Sequence, residues 1–112
     1  MVQFLLVCLG GALGTGARFA IALAIPRAVL AVNLLGSCAI AMVMERMPPS
    51  DLRLILVTGI LGGFTTYSAF NQETLQLLQL GKWASALVNV SLTLFGCLAA
   101  GLLGLWLARV KF

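Results

Sequence analysis

Four apolar stretches with almost nothing between them leave this chain few ways to fold. They run roughly from Val2 to Ile25, Ala28 to Met44, Leu54 to Leu80 and Trp83 to Ala108. About 20 apolar residues in a helix cover the ~30 Å hydrocarbon core of a bilayer. The connections are short: Pro26-Arg27, then Glu45 to Arg53 with Pro48-Pro49, then Gly81-Lys82. Only 9% of the 112 residues are charged, against about 25% in an ordinary soluble domain. The expectation is one all-α membrane domain over residues 1–112, with transmembrane helices near 2–25, 28–44, 54–80 and 83–108. The first helix is expected to stay in the mature protein. No Lys or Arg precedes it, and it is too long for the apolar region of a signal peptide.

Several function classes are disfavoured. Histidine is absent, and Cys8, Cys38 and Cys97 lie far apart inside apolar spans. That spacing suits neither a disulfide framework nor a metal site. Paired carboxylates and a nucleophile beside a base are also missing, which argues against an enzyme. The basic residues stand singly at span ends and form no run, so nucleic acid is not an expected partner. The lipid bilayer is.

Those basic residues also bear on orientation. Four spans put the N-terminus, the second loop and the C-terminus on one side, with Arg46, Arg53, Arg109 and Lys111. Arg18, Arg27 and Lys82 fall on the other. Four against three gives the positive-inside rule almost nothing to choose on.

A polar group within a span needs a partner or a water-filled cavity. In GGALGTGAR, Gly10 and Gly14 have the spacing of close helix packing. Arg18 follows one turn later. It either snorkels toward headgroups, caps an unwound segment or biases a vestibule toward anions. In AVNLLGS, Asn33 and Ser37 share a face, where Asn33 either glues helices together or serves a pathway. The last span carries Ser85, Asn89, Thr93 and Cys97 as one stripe, with Gly96, Ala100 and Gly104 as small packing residues. In the third span, Gly59, Gly62 and Gly63 weaken the helix just before Thr65-Thr66. This predicts a third helix broken near its centre, around 62–66, with backbone groups exposed to protein or a cavity. Glu73 beyond it is either a functional carboxylate or a helix-end hydrogen-bonding group. Tyr67 and Phe70, three apart, offer a negative ring face to a cation or a positive edge to an anion.

Together, GGALGTGARF, AVNLLGS and GGFTTYSAFNQE resemble, in order and over the whole chain, the three motifs of the Fluc (CrcB) fluoride ion channels. The resemblance implies a bacterial inner-membrane channel that exports toxic cytoplasmic fluoride passively. It implies an antiparallel, dual-topology homodimer with two fluoride pathways, and a Na⁺ held by backbone carbonyls at the dimer interface. Gly62 and Thr65 match the carbonyl positions that hold the Na⁺. Asn33, Ser68 and Phe70 match pathway positions, and Tyr67 stands where the TTFSTF motif has its first phenylalanine. Asn89 and Thr93 fall on the polar track of the fourth helix. Arg18 and Glu73 match the arginine of the first motif and a glutamate beyond the third, both assigned to a vestibule. Three departures stand out: Tyr67 adds a hydroxyl, Ala69 removes one, and Asn89 replaces a tyrosine. Some members of this family pair two different subunits, so the partner is either a second copy or a homologous chain. On this resemblance the weak charge bias suits a chain that inserts both ways.

Two other readings compete. A small dual-topology multidrug or cation antiporter needs a carboxylate at the membrane centre of its first helix, and the first span here has no Asp or Glu. A small assembly subunit without transport would use its glycines for packing alone and leave the third span's interruption without a purpose.

Overall fold

A computed structural model of the chain describes residues 1–110. Lys111, counted above among the basic residues, lies outside them. The first two helices are α1 (Val2–Ala24) and α2 (Ala28–Arg46). The third span is composite: α3 (Asp51–Leu54), a π-helical segment (Ile55–Leu61) and α4 (Gly62–Phe64), followed by α5 (Tyr67–Gln79). The long α6 (Trp83–Arg109) closes the chain. Among the described residues, four helical stretches, with 51–79 taken as one, are long and apolar enough to cross a membrane.

Helix ends fall a few residues from the sequence boundaries, for local reasons. The third span starts at Asp51 rather than Leu54, because Ser50 Oγ accepts from the Arg53 amide at 3.2 Å and caps the first turn. α2 continues past Met44 to Arg46. The Arg46 guanidinium reaches the last carbonyls of α6, donating to those of Leu107, Ala108 and Val110. Arg109 pairs with Glu45 at 2.9 Å, and Gln3 donates to Asp51 at 2.6 Å. These contacts gather the N-terminus, the second connection and the end of α6 at one end of the molecule.

The packing is done by small residues. α1 lies against the π-helical segment and α4, and α2 runs along α6. A Cβ on Gly10 would come within 3.2 Å of the Gly59 Cα. One on Gly14 would overlap the Ile60 carbonyl, and one on Gly104 would overlap that of Cys38. The glycine spacings of α1 and α6 therefore do what the sequence suggested. The third-span glycines do not unwind the backbone, contrary to expectation. Gly59 lies within the π-helical segment, Gly62 and Gly63 are helical, and the extended residues are Thr65 and Thr66. Gly59 and Gly63 are instead where α1 comes closest, a use for missing side chains that leaves their helical dihedrals untouched.

Few side chains are buried inside one chain: Val32 completely, with Ala28, Phe70, Ala86, Asn33 and Thr74 nearly so, beside the packed glycines Gly10, Gly14, Gly36, Gly59 and Gly104. Leu13, Phe19, Leu87 and Leu102 are among many large apolar residues left exposed, as suits a protein whose surroundings are hydrocarbon. Replacing Gly14 by Ala should destabilise the detergent-purified protein by about 1–3 kcal/mol, the usual cost of overpacking. Gly16→Ala, where nothing lies within 4 Å of the new methyl, should hold or slightly raise the thermal midpoint. Equal midpoints for the two variants would show that α1 does not pack through Gly14.

Candidate functional site: an uncharged groove beside Thr65 and Thr66

An α-helix that stops inside an apolar layer strands its last carbonyls and the next helix's first amides. Here the stop is two residues long. Thr65 (φ −89°, ψ 156°) and Thr66 (φ −153°, ψ 123°) are extended. Local side chains meet part of the demand. Thr65 Oγ1 and the Thr65 amide both donate to the Leu61 carbonyl, at 3.1 and 3.0 Å. Thr66 Oγ1 accepts from the Ala69 amide at 3.2 Å as the N-cap of α5, and lies 3.1 Å from Ser68 Oγ.

Neighbouring helices supply the rest. From α2, Asn33 Nδ2 donates to the Thr66 carbonyl at 3.0 Å, and Asn33 Oδ1 accepts from the Thr66 amide at 2.8 Å. One side chain so satisfies both backbone groups of one residue. Asn33 is only 7% exposed, and Thr66 is half-buried beside it. From α1, Arg18 Nε donates to the Gly63 carbonyl at 3.2 Å, with Thr15 Oγ1 at 3.5 Å. Of the three roles open to Arg18, capping is the one the geometry displays. Among the described residues, no hydrogen bond reaches the carbonyls of Gly62 or Thr65.

A groove of ≈ 560 Å³ opens beside Thr65 and Thr66. Asn33, Ser37, Thr66, Tyr67, Phe70 and Thr93 line it with apolar residues, and no charged side chain does. Tyr67 and Phe70 meet edge to face, with centroids 5.6 Å apart and planes at 68°. Phe70 is 9% exposed and held by its surroundings, whereas Tyr67 is 77% exposed and projects from the single chain. Thr93 makes no hydrogen bond among the described residues, so its hydroxyl is available to the groove.

A second cavity, ≈ 590 Å³, is lined by Arg27, Glu73, Gln76, Lys82, Ser85 and Asn89 among others. The stripe on α6 is thus divided: Ser85 and Asn89 face this charged mouth, Thr93 and Cys97 the uncharged groove. Asn89 Nδ2 donates to Thr74 Oγ1 at 3.0 Å. Thr74 drew no attention in the sequence. Its only signal was a hydroxyl one turn from Phe70 in a stretch already rich in polar groups. Arg18 and Ser68 line neither cavity.

Residues 5–105 match the family model described as CrcB-like protein, Camphor Resistance (CrcB). The chain is 48% identical over 126 residues to a Fluoride-specific ion channel FluC of Anaeromyxobacter dehalogenans (strain 2CP-1 / ATCC BAA-258), with 96% of this chain and 99% of the relative covered. The protein of the same name from Sorangium cellulosum (strain So ce56) is 42% identical over 123 residues, covering 97% and 96%. That of Chelativorans sp. (strain BNC1) is 39% identical over 122 residues, covering 97% and 98%.

The Asn33 contacts generate a stability prediction. Asn33→Ala leaves the half-buried Thr66 N–H and C=O without their protein partner, at a cost of about 1–3 kcal/mol. Chemical unfolding in detergent should show a loss of that order. Thr93→Val removes a hydroxyl with no intramolecular partner and should leave stability within about 0.5 kcal/mol. A loss for Asn33→Ala no larger than for Thr93→Val would contradict the assignment.

Proposed function

This chain belongs to the CrcB family, and from that premise we propose that it is a fluoride-specific ion channel which lowers cytoplasmic fluoride by passive export. It is a multi-pass membrane protein and a transporter, not an enzyme. The bacterial inner membrane is its proposed site.

The observation that carries this reading is the uncharged, donor-lined groove between α2, α5 and α6. Fluoride holds its water strongly, so a route through hydrocarbon must offer hydrogen-bond donors in exchange. The second N–H of Asn33, the hydroxyls of Ser37 and Thr93, and the ring edges of Tyr67 and Phe70 are such donors. A fixed positive charge would hold the ion; neutral donors let it leave. Ser68, bonded beside Thr66, reaches the route only through the start of α5. Asn89 and Glu73, in the charged mouth with Arg27 and Lys82, stand where ions would enter.

Reading Thr65 and Thr66 as a break within the third membrane helix gives the carbonyls of Gly62 and Thr65 a purpose. They take no hydrogen bond among the described residues while those of Leu61, Gly63 and Thr66 are engaged. Oxygens of this kind suit a hard monovalent cation, and the residues fit a structural Na⁺. The ion would neutralise the carbonyl dipoles beside the anion route. Gly62 is exposed in the single chain, which supports a partner at this face. The proposed partner is a second copy inserted antiparallel, or a homologous subunit. The near-balanced basic residues support insertion in both orientations.

Fluoride efflux from liposomes holding the purified chain, followed with a fluoride electrode, tests the reading. Wild-type protein should release fluoride and retain chloride. Phe70→Ile keeps the apolar volume but loses the polarised edge. It should cut flux about tenfold, the rate equivalent of an aromatic contact of ~1.4 kcal/mol. Tyr67→Phe should be tolerated. No fluoride release from folded wild-type protein, reconstituted alone or with a homologous subunit, would rule the function out. Exchange of all Na⁺ for a large organic cation should weaken subunit association and silence efflux. Undiminished efflux after that exchange would remove the cation from the account.

A further inference from the structure

Thr74 is buried on α5, with Phe70 one turn before it and Asn89 of α6 opposite. Its hydroxyl donates to the Phe70 carbonyl at 2.9 Å, a bond that threonines in helices often make. The second bond is less ordinary. Asn89 Nδ2 donates to the same Oγ1 at 3.0 Å. With its proton committed to Phe70, the Thr74 oxygen has lone pairs to offer, and the two bonds run in one direction. Such chains polarise one another in a low-dielectric interior. Among the described residues, no other hydrogen bond joins α5 to α6. Its ends belong to different cavities: Asn89 lines the charged mouth, and Phe70 lines the uncharged groove.

We propose that Thr74 is a positioning residue for anion transfer between the two cavities. It fixes the Asn89 amide at the mouth and ties it to the segment that carries the Phe70 ring. The proposal rests on the channel reading above. An ion leaving the mouth sheds water at the α5–α6 seam and needs a donor already in place. Asn89 has two amide protons. With one held on Thr74, the other keeps a set direction. Without the Thr74 oxygen the amide turns freely, and each transfer must first order it.

The test uses the full chain in liposomes, with fluoride efflux measured over a series of internal fluoride concentrations and thermal unfolding measured alongside. Thr74→Val keeps the shape and loses the oxygen, Thr74→Ser keeps the oxygen, and Asn89→Leu removes the donor from the α6 side. Thr74→Val and Asn89→Leu should each lower maximal flux about tenfold, a loss of the size a well-placed hydrogen bond supplies. Thr74→Ser should restore flux to near the wild-type rate. The double variant should conduct no worse than Asn89→Leu alone, since both changes remove one unit. A merely structural role would lower the unfolding midpoint and leave flux per folded channel unchanged. Wild-type flux through folded Thr74→Val, or losses that multiply in the double variant, would overturn the proposal. Should Thr74→Val not fold, wild-type flux through Asn89→Leu would overturn it equally. Failure of the wild-type chain to pass fluoride would instead sink the channel reading, and this inference with it.

Discussion

Two extended residues in an apolar span set the terms for the rest of this molecule. Every backbone N–H and C=O at that depth must find a protein partner or a wet cavity, because hydrocarbon offers none. Asn33 answers for Thr66 on both counts, Thr65 turns back onto Leu61, and Arg18 reaches across from α1 to Gly63. Helices α1 and α2 are thus both pinned to the same few residues. The carbonyls left over, those of Gly62 and Thr65, are the ones the account gives to a cation.

Close approach makes those bonds possible. Asn33 has a short side chain and meets the Thr66 backbone only because α2 runs near it. Gly36, one turn on, lies so close to the Thr65 methyl that a Cβ there would overlap it. Gly10 and Gly14 do the same for α1 against the π-helical segment, which brings Thr15 and Arg18 to Gly63. The groove follows from the same geometry. Thr65 and Thr66 lie extended between α4 and α5, and the groove beside them is lined by Asn33 of α2, Phe70 of α5 and Thr93 of α6.

The spans were legible because hydrophobicity alone places them, and the packing glycines because their spacing is local. The extended pair Thr65 and Thr66 falls in a stretch that could be singled out for a related reason: Thr-Thr after three glycines is poor helix. Its position was harder. Glycines are equally at home in a crowded helix and an uncoiled one, and only the neighbouring α1 decides which. The π-helical run was not legible, since ILVTGIL satisfies a wide helix and an ordinary one alike. Asn33 could be picked out as a costly polar residue, yet its partner, a backbone 33 residues away, leaves no mark in composition. Thr74 and Asn89 show the same limit, for a pair across two helices has no signature in either. For Arg18 the sequence offers three roles and gives no sign of the Gly63 carbonyl that its Nε meets.

Backbone amide exchange, followed residue by residue in a lipid nanodisc, tests the central claim most directly. The Thr66 N–H is tied to Asn33. The Tyr67 N–H, at the first position of α5, finds no acceptor among the described residues. The account predicts slow exchange at Thr66 beside fast exchange at Tyr67 in the same wild-type protein. Equally fast exchange at both would mean that Asn33 does not hold the third span where it opens, and the groove built on that hold would lose its foundation.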